Sequence, residues 1–149
     1  MRIGINGFGR IGRLASRIIS ESPDLDLVAV NDVAPDVSNL IYLYNYDSNY
    51  GIPGVKAVIV DESNADFGGN VVRFYNQSAI DKVAWQECEV DCIIEASGVR
   101  SNSLACSSLV KENIIKKALI THSPDPRMVD FYMVMGVNDY VYNPDSHNV

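Results

Sequence analysis

Three glycines near the amino terminus restrict what this chain can fold into. Residues 7–12 read Gly-Phe-Gly-Arg-Ile-Gly, a G-x-G-x-x-G pattern. Ile3 and Ile5 alternate with smaller residues before it, and apolar residues recur at helical spacings after it, as far as Ile19. The pattern therefore predicts a strand, a tight turn and a helix. A second apolar run at residues 25–30 completes a βαβ unit, which closes with a right-handed crossover into a parallel sheet.

The rest of the chain continues the alternation of strands and helices. The predicted elements are a helix at residues 38–44, strands at 55–60, 71–75 and 92–96, a helix at 103–111 and a strand at 118–121. The turn-forming residues 66–70 join the first two of these strands into a hairpin. We therefore predict an α/β fold of the Rossmann type, a doubly wound and mostly parallel sheet with a small hairpin insertion. No repeat or linker divides the sequence, so residues 1–149 are expected to form one domain.

The position of the glycines between a strand and a helix predicts a dinucleotide site. Gly7 permits the tight turn, Gly9 lets the backbone approach a pyrophosphate, and Gly12 lets the helix pack closely on the strand. Backbone N–H groups near Arg10 and Ile11 would then face the anion at the amino terminus of the helix. A glycine turn that serves only the fold is the alternative interpretation.

Asp32 indicates which dinucleotide would bind. It lies at the end of the second strand, twenty positions after Gly12, where a carboxylate accepts hydrogen bonds from the hydroxyls of the adenosine ribose. Its charge would repel the additional phosphate of NADP, so the predicted cofactor is NAD. A role as a mere cap of the strand is the alternative for Asp32. No G-x-x-x-x-G-K-[ST] pattern occurs, so phosphate transfer is not supported.

Composition argues against several other classes of function. Twelve Lys and Arg against nineteen Asp and Glu give a net charge of -7, which disfavours binding to nucleic acids and to anionic membranes. No apolar run approaches the length of a membrane span and no secretory signal is recognisable, so a cytoplasmic protein is expected. Cys88, Cys92 and Cys106 lack C-x-x-C spacing and are interpreted as small buried residues. With only two histidines to assist them, no metal site is expected.

Six segments, taken in order, carry a family resemblance. They are Ile5-Asn6-Gly7-Phe8-Gly9-Arg10-Ile11-Gly12-Arg13, Asn31-Asp32, Tyr46-Asp47-Ser48-Asn49-Tyr50-Gly51, Trp85, Glu95-Ala96-Ser97-Gly98 and Met135-Gly136-Val137-Asn138. In this order they resemble the NAD-binding domain of the glyceraldehyde-3-phosphate dehydrogenases, and they cover nearly the whole chain. The chain resembles a divergent member. The candidate cofactor-binding residues are Asn6, Gly7, Phe8, Gly9, Arg10, Ile11, Gly12, Asn31, Asp32, Ser97, Gly98 and Thr121.

The resemblance implies a glycolytic, two-domain and usually tetrameric enzyme. Such an enzyme oxidises a small phosphorylated aldehyde through a cysteine thiohemiacetal, passes hydride to NAD and releases an acyl phosphate by phosphorolysis. The nucleophile and the catalytic histidine of the family belong to segments that are absent from these 149 residues, and neither the three cysteines nor His122 matches them. No residue is therefore assigned a catalytic role, and the chain alone is expected to be inactive.

Two segments depart from the pattern of the family. Asn76-Gln77-Ser78-Ala79 stands where the family usually has Glu-Arg-Asp-Pro, whose arginine lies against adenine. Thr121-His122-Ser123-Pro124 replaces Ser-Ala-Pro, which makes Thr121 the candidate hydroxyl on the nicotinamide side, against an ordinary role at the strand end. An enzyme similar to erythrose-4-phosphate dehydrogenase and a stand-alone, non-catalytic binding module are the alternatives.

Glu95 is the one further residue that could be taken for an acid or a base. It is a lone carboxylate at the predicted end of a strand, directly before Ala96-Ser97-Gly98. We interpret it as a hydrogen-bonded structural group.

Overall fold

A computed structural model describes residues 1–149 and contains seven strands and three α-helices. The strands are β1 (Arg2–Asn6), β2 (Asp26–Asn31), β3 (Ala57–Asp61), β4 (Asn64–Phe67), β5 (Val71–Tyr75), β6 (Cys92–Glu95) and β7 (Lys117–Ile120). The helices are α1 (Arg10–Ser20), α2 (Val37–Asn45) and α3 (Asn102–Lys111). Short 3-10 turns lie at Ile80–Lys82, Trp85–Cys88, Pro126–Met128 and Asp139–Val141. None of the helices has both the length and the apolar character needed to cross a membrane.

All seven strands form one sheet in the order β3-β4-β5-β2-β1-β6-β7. The strands β5, β2, β1, β6 and β7 are parallel, whereas β3 and β4 add an antiparallel edge. The chain moves from β1 to β2 on one side and later returns to β6 on the other side of β1. The carboxyl ends of β1 and β6 therefore form a topological switch point, where sheets of this kind have their ligand-binding crevice.

Both faces of the sheet are covered, and each has its own apolar core. Ile3 and Ile5 of β1 belong to the core beneath α1 and α2. Gly4, between them, faces the opposite core, where a Cβ atom would lie 2.8 Å from the ring of Trp85. That second core includes Cys106 of α3. The predicted doubly wound Rossmann-type architecture is confirmed.

The antiparallel edge differs from the predicted single hairpin. The strand β4 lies within a stretch that was expected to be partly a turn, so the edge consists of two successive hairpins. Its Ala65 and Phe67 are buried and alternate with the half-buried polar residues Asn64 and Asp66. Two apolar positions are too short an alternation to distinguish a strand from a turn. The real turn is restricted to the residues around Gly68 and Gly69, which both adopt positive φ.

Candidate dinucleotide-binding site

The glycine loop connects β1 to α1 at the switch point. Gly7 has a φ of 92°, and its N–H donates a hydrogen bond to the carbonyl of Asn31 at 2.8 Å. A Cβ atom at Gly7 would lie 2.5 Å from the backbone nitrogen of Ser97, and one at Gly12 would lie 2.0 Å from the carbonyl oxygen of Gly7. At Gly9 a Cβ atom would meet nothing within 4 Å. The loop is thus closed against the protein at its two ends and open to a ligand in its middle.

The first turn of α1 has unpaired backbone donors. The helix begins its hydrogen bonding with the N–H of Arg13, which donates to the carbonyl of Gly9 at 2.9 Å. The N–H groups of Arg10, Ile11 and Gly12 have no acceptor in the protein. Gly9 supplies no capping side chain, and the first turn contains no acidic residue. These donors and the positive end of the helix dipole make this turn a site for an anion such as a pyrophosphate.

Asp32 lies beside this turn, directly after β2. Its Oδ2 accepts a hydrogen bond from the N–H of Phe8 at 2.6 Å, and its Oδ1 accepts one from Ala34 at 2.8 Å. The carboxylate oxygens retain lone pairs for hydroxyl donors of a ligand. The side chain of Phe8 points away into the core, where it stacks on Tyr44, so Phe8 can serve a ligand only through its backbone.

A pocket of about 220 Å³ lies between the end of β2, the glycine loop and the end of β6. It brings together half of the predicted site residues, namely Asn6, Gly7, Gly9, Asn31, Asp32 and Ser97. It does not include Phe8, Arg10, Ile11, Gly12, Gly98 or Thr121. The pocket is smaller than a whole dinucleotide requires, so a bound dinucleotide would extend along the open crevice beyond it.

Thr121 lies outside the pocket, at the end of β7. Both its N–H and its hydroxyl donate to the backbone carbonyl of Glu95, each at 3.0 Å. The hydroxyl oxygen can therefore still accept a hydrogen bond, but its proton is already committed. Its contact with the nicotinamide side of the cofactor stays a prediction. Gly98 is exposed, with a φ of 75°, in the turn after β6.

The pocket also contains residues that were not predicted as site residues. They are Val33, Gln77, Ser78, Ala96, Val99 and Asn102. Gln77 donates its backbone N–H to Asn31 Oδ1 at 2.8 Å, because β5 lies next to β2 and both chains leave the sheet at the same edge. Asn102 of α3 donates to Ser97 Oγ at 3.1 Å. The family resemblance had indicated the adenine side for the segment that contains Gln77 and Ser78, and the pairing of β5 with β2 brings both into the pocket. No sequence signal indicated Asn102.

The cysteines give the chain no activated thiol in the core. Burial raises the pKa of Cys92 to about 11 and that of Cys106 to about 12, so both thiols are protonated at neutral pH. Cys106 is buried as expected, but the expectation was wrong for Cys88 and Cys92, which are half-buried. The Sγ of Cys88 lies 3.4 Å from the hydroxyl of Tyr75. No group of three or more potential metal ligands occurs in the structure.

Comparison with known proteins agrees with this geometry. The family described as glyceraldehyde 3-phosphate dehydrogenase, NAD binding domain, matches residues 1–103. A chloroplastic glyceraldehyde-3-phosphate dehydrogenase of Arabidopsis thaliana is 33% identical over 144 residues, which cover 97% of this chain and 33% of that protein. A cytosolic one of Ginkgo biloba is 34% identical and one of Coccidioides posadasii (strain C735) is 36% identical, each over 146 residues that cover 97% of this chain and 42% of the relative.

The chain therefore spans between a third and about two fifths of the length of these relatives. The matching family covers the glycine loop, Asp32 and the turn after β6, which are the parts that form the pocket. The chain belongs to the glyceraldehyde-3-phosphate dehydrogenase family, in which it represents the NAD-binding domain.

Proposed function

We propose that the chain is the cofactor-binding part of an NAD-dependent, phosphorylating aldehyde dehydrogenase. The intact enzyme would convert a small phosphorylated aldehyde, phosphate and NAD⁺ into an acyl phosphate, NADH and a proton. It would act as a homo-tetramer in the cytoplasm. The observation that carries the proposal is that Gly9, which directly precedes the unpaired N–H groups of the α1 turn, lines the same pocket as Asp32.

Bound NAD would supply the hydride acceptor, and the residues of this chain would bind and orient it. The N–H groups of Arg10, Ile11 and Gly12 would hold the pyrophosphate. Asp32 would accept the ribose hydroxyls while the N–H of Phe8 keeps its carboxylate in place. Bound NAD would extend across the end of the sheet, from Asp32 after β2, over the loop after β1, toward the ends of β6 and β7.

In this proposal the groups that carry out the chemical steps come from outside residues 1–149. The thiols of Cys92 and Cys106 are held protonated, and the pocket has no histidine. Seven apolar residues near the carboxy terminus are exposed: Tyr132, Met133, Val134, Met135, Val137, Tyr140 and Val141. Their exposure supports the proposal that a second, catalytic domain covers them in the intact enzyme.

We expect Asp32→Ala to weaken NAD binding by about 1–3 kcal/mol, because a charged acceptor for the ribose is lost. The affinity for NADP should fall less than the affinity for NAD, since the same substitution removes the repulsion between Asp32 and the additional phosphate of NADP. The matched control is Asp36→Ala, which removes the same charge at the cap of α2, where Asp36 accepts from Ser38 outside the pocket. Isothermal titration should show a smaller ratio of NAD affinity to NADP affinity in Asp32→Ala and an unchanged ratio in Asp36→Ala. Equal affinity of the unaltered chain for NAD and NADP would contradict the assignment of Asp32.

The enzyme part of the proposal is tested on the polypeptide as the source cell makes it. An antibody against residues 1–149 should detect a species much larger than 16.4 kDa. That species, once purified, should produce NADH from glyceraldehyde 3-phosphate or erythrose 4-phosphate only when phosphate is present, and should elute as a tetramer. A native species of 16.4 kDa that binds NAD without turnover would instead support a stand-alone binding module.

A further inference from the structure

Glu95 is a fully buried carboxylate without a cation. It ends β6 and has no solvent exposure, and none of the six ion pairs of the structure involves it. Four donors surround it instead. Oε2 accepts from Asn6 Nδ2 at 2.5 Å and from Asn102 Nδ2 at 3.1 Å, while Oε1 accepts from both the N–H and the hydroxyl of Ser97. Burying a charge in this way is unfavourable unless every oxygen is hydrogen-bonded, as it is here.

The carboxylate gives direction to a chain of side-chain amides. Because it can only accept, Asn6 must turn its NH₂ toward Glu95 and its Oδ1 toward the neighbouring strand. That Oδ1 accepts from Asn31 Nδ2 at 2.7 Å, and Asn31 Oδ1 in turn accepts from the N–H of Gln77. The carboxylate thus orients the β6 and β1 end of this chain, whereas at the β5 end the backbone of Gln77 holds Asn31 independently, since Asn31 Nδ2 also donates to the carbonyl of Gln77 at 3.0 Å.

All of these partners line the dinucleotide pocket, whereas Glu95 lies behind its wall. Ser97 and Asn102 form the wall on the β6 side, where the turn is held by the N–H of Val99 donating to Ser97 Oγ at 3.2 Å. Both oxygens of Glu95 are occupied and inaccessible to water. It is therefore not placed to exchange a proton with a substrate.

We propose that Glu95 is a positioning residue for the part of NAD beyond its adenosine. Its carboxylate holds the Ser97 turn and the Asn6 amide in the orientation that this part of the cofactor meets. The inference rests on the proposed binding mode, in which adenosine lies near Asp32 at β2 and the remainder crosses toward β6. AMP, which consists of adenosine and one phosphate of the pyrophosphate, would occupy the Asp32 side and the α1 turn and leave the β6 wall untouched.

The test compares NAD and AMP in Glu95→Gln by isothermal titration. Glutamine has the same shape, but its NH₂ group cannot accept a hydrogen bond. If this group takes the place of Oε2, the hydrogen bonds from Asn6 and Asn102 are lost. If it takes the place of Oε1, the hydrogen bond from the N–H of Ser97 is lost. We expect the Kd for NAD to rise about tenfold or more, because a hydrogen bond to a charged group is lost behind the site, while the Kd for AMP stays within about twofold. A purely structural role of Glu95 would change both affinities together or neither.

The matched control is Asp91→Asn, which removes a hydrogen-bonded carboxylate at the opposite end of β6. Asp91 accepts from the N–H of Arg2 and from Lys116 Nζ, far from the pocket. This variant should keep both affinities within about twofold of the unaltered chain. If Glu95→Gln does not fold, Asn102→Ala is tested instead, because it keeps the carboxylate and removes one of its donors. This variant should raise the Kd for NAD relative to the Kd for AMP, as expected for Glu95→Gln.

The outcomes separate the two proposals. An unaltered chain that binds neither nucleotide contradicts the binding mode and, with it, the role of Glu95. If the unaltered chain binds both nucleotides and the variants lose affinity for NAD and AMP equally, or for neither, only the role of Glu95 is contradicted.

Discussion

Replacing Gly12 with alanine is expected to destabilise the fold by more than about 3 kcal/mol and to abolish NAD binding. The new Cβ atom would lie 2.0 Å from the carbonyl oxygen of Gly7 and 3.2 Å from Ile5 Cγ2. The oxygen cannot retreat, because Gly7 is itself packed against the backbone of Ser97. The helix α1 must therefore move away from β1, which displaces the N–H groups that would meet the pyrophosphate. Urea denaturation followed by circular dichroism, together with titration of NAD, measures both effects.

Gly9→Ala is the matched control for that substitution. It adds the same methyl group three residues earlier, where the φ of -73° suits any residue and the space is empty. We expect its free energy of unfolding to stay within about 0.5 kcal/mol of the unaltered chain, while NAD binds more weakly because the methyl stands where the pyrophosphate approaches. Unchanged stability of Gly12→Ala would contradict the close packing of α1, and unchanged NAD binding of Gly9→Ala would contradict the approach of the ligand.

The second large effect is expected at Trp85, whose replacement by alanine should cost about 3–5 kcal/mol of stability. The side chain is completely buried in the core beneath α3, and its Nε1 donates to the carbonyl of Ile80 at 2.9 Å. The ring also fills the space that Gly4 of β1 leaves open. Removal therefore leaves a cavity against the central strand, and the carbonyl of Ile80 keeps only its longer hydrogen bond from the N–H of Val83 at 3.4 Å. Because Trp85 is the only tryptophan, denaturation must be followed by circular dichroism.

Tyr140→Ala provides the comparison for Trp85→Ala. Tyr140 is 83% exposed, so the substitution removes a large aromatic ring without creating a cavity. Its free energy of unfolding should change by less than about 0.5 kcal/mol. A loss of similar size in the two variants would show that packing around Trp85 is not what stabilises the second core.

Sequence patterns were sufficient wherever a local period or a glycine decided the structure. The alternation of Ile3 and Ile5 predicted β1, and both residues are buried. The helical spacing predicted the position of α1 but not its buried face, because Ile11 and Ile18 are 47% and 57% exposed. The buried residues of α1 are Gly12, Ser16, Arg17 and Ile19. The strand β4 could not be predicted from its local pattern. With Ala65 and Phe67 as its only apolar positions, its identity depends on pairing with β3 and β5 rather than on its own pattern.

The pocket was only half predictable, because its other half depends on which strands are neighbours. Asp32 could be placed from its distance to the glycine loop. Gln77 joins it because β5 pairs with β2, which no spacing in the sequence specifies and which only the family resemblance of residues 76–79 indicated. Glu95 was interpreted as a hydrogen-bonded structural group, and its four donors bear this out, but Asn6 and Asn102 come from distant parts of the chain.

The switch point also determines when the site can exist during folding. Ile3 pairs with Leu27 on one side of β1 and with Cys92 on the other, so the sheet closes one short and one very long loop around the same strand. Long loops lose more chain entropy on closure, and contacts distant in sequence slow folding. The pocket is formed across the pairing of β1 with β6, with Asn6 at the end of β1 and Ser97 after the end of β6. In the proposed binding mode, NAD would meet a complete binding surface only in molecules whose two halves have joined, and its binding would stabilise the junction that is entropically most costly to close.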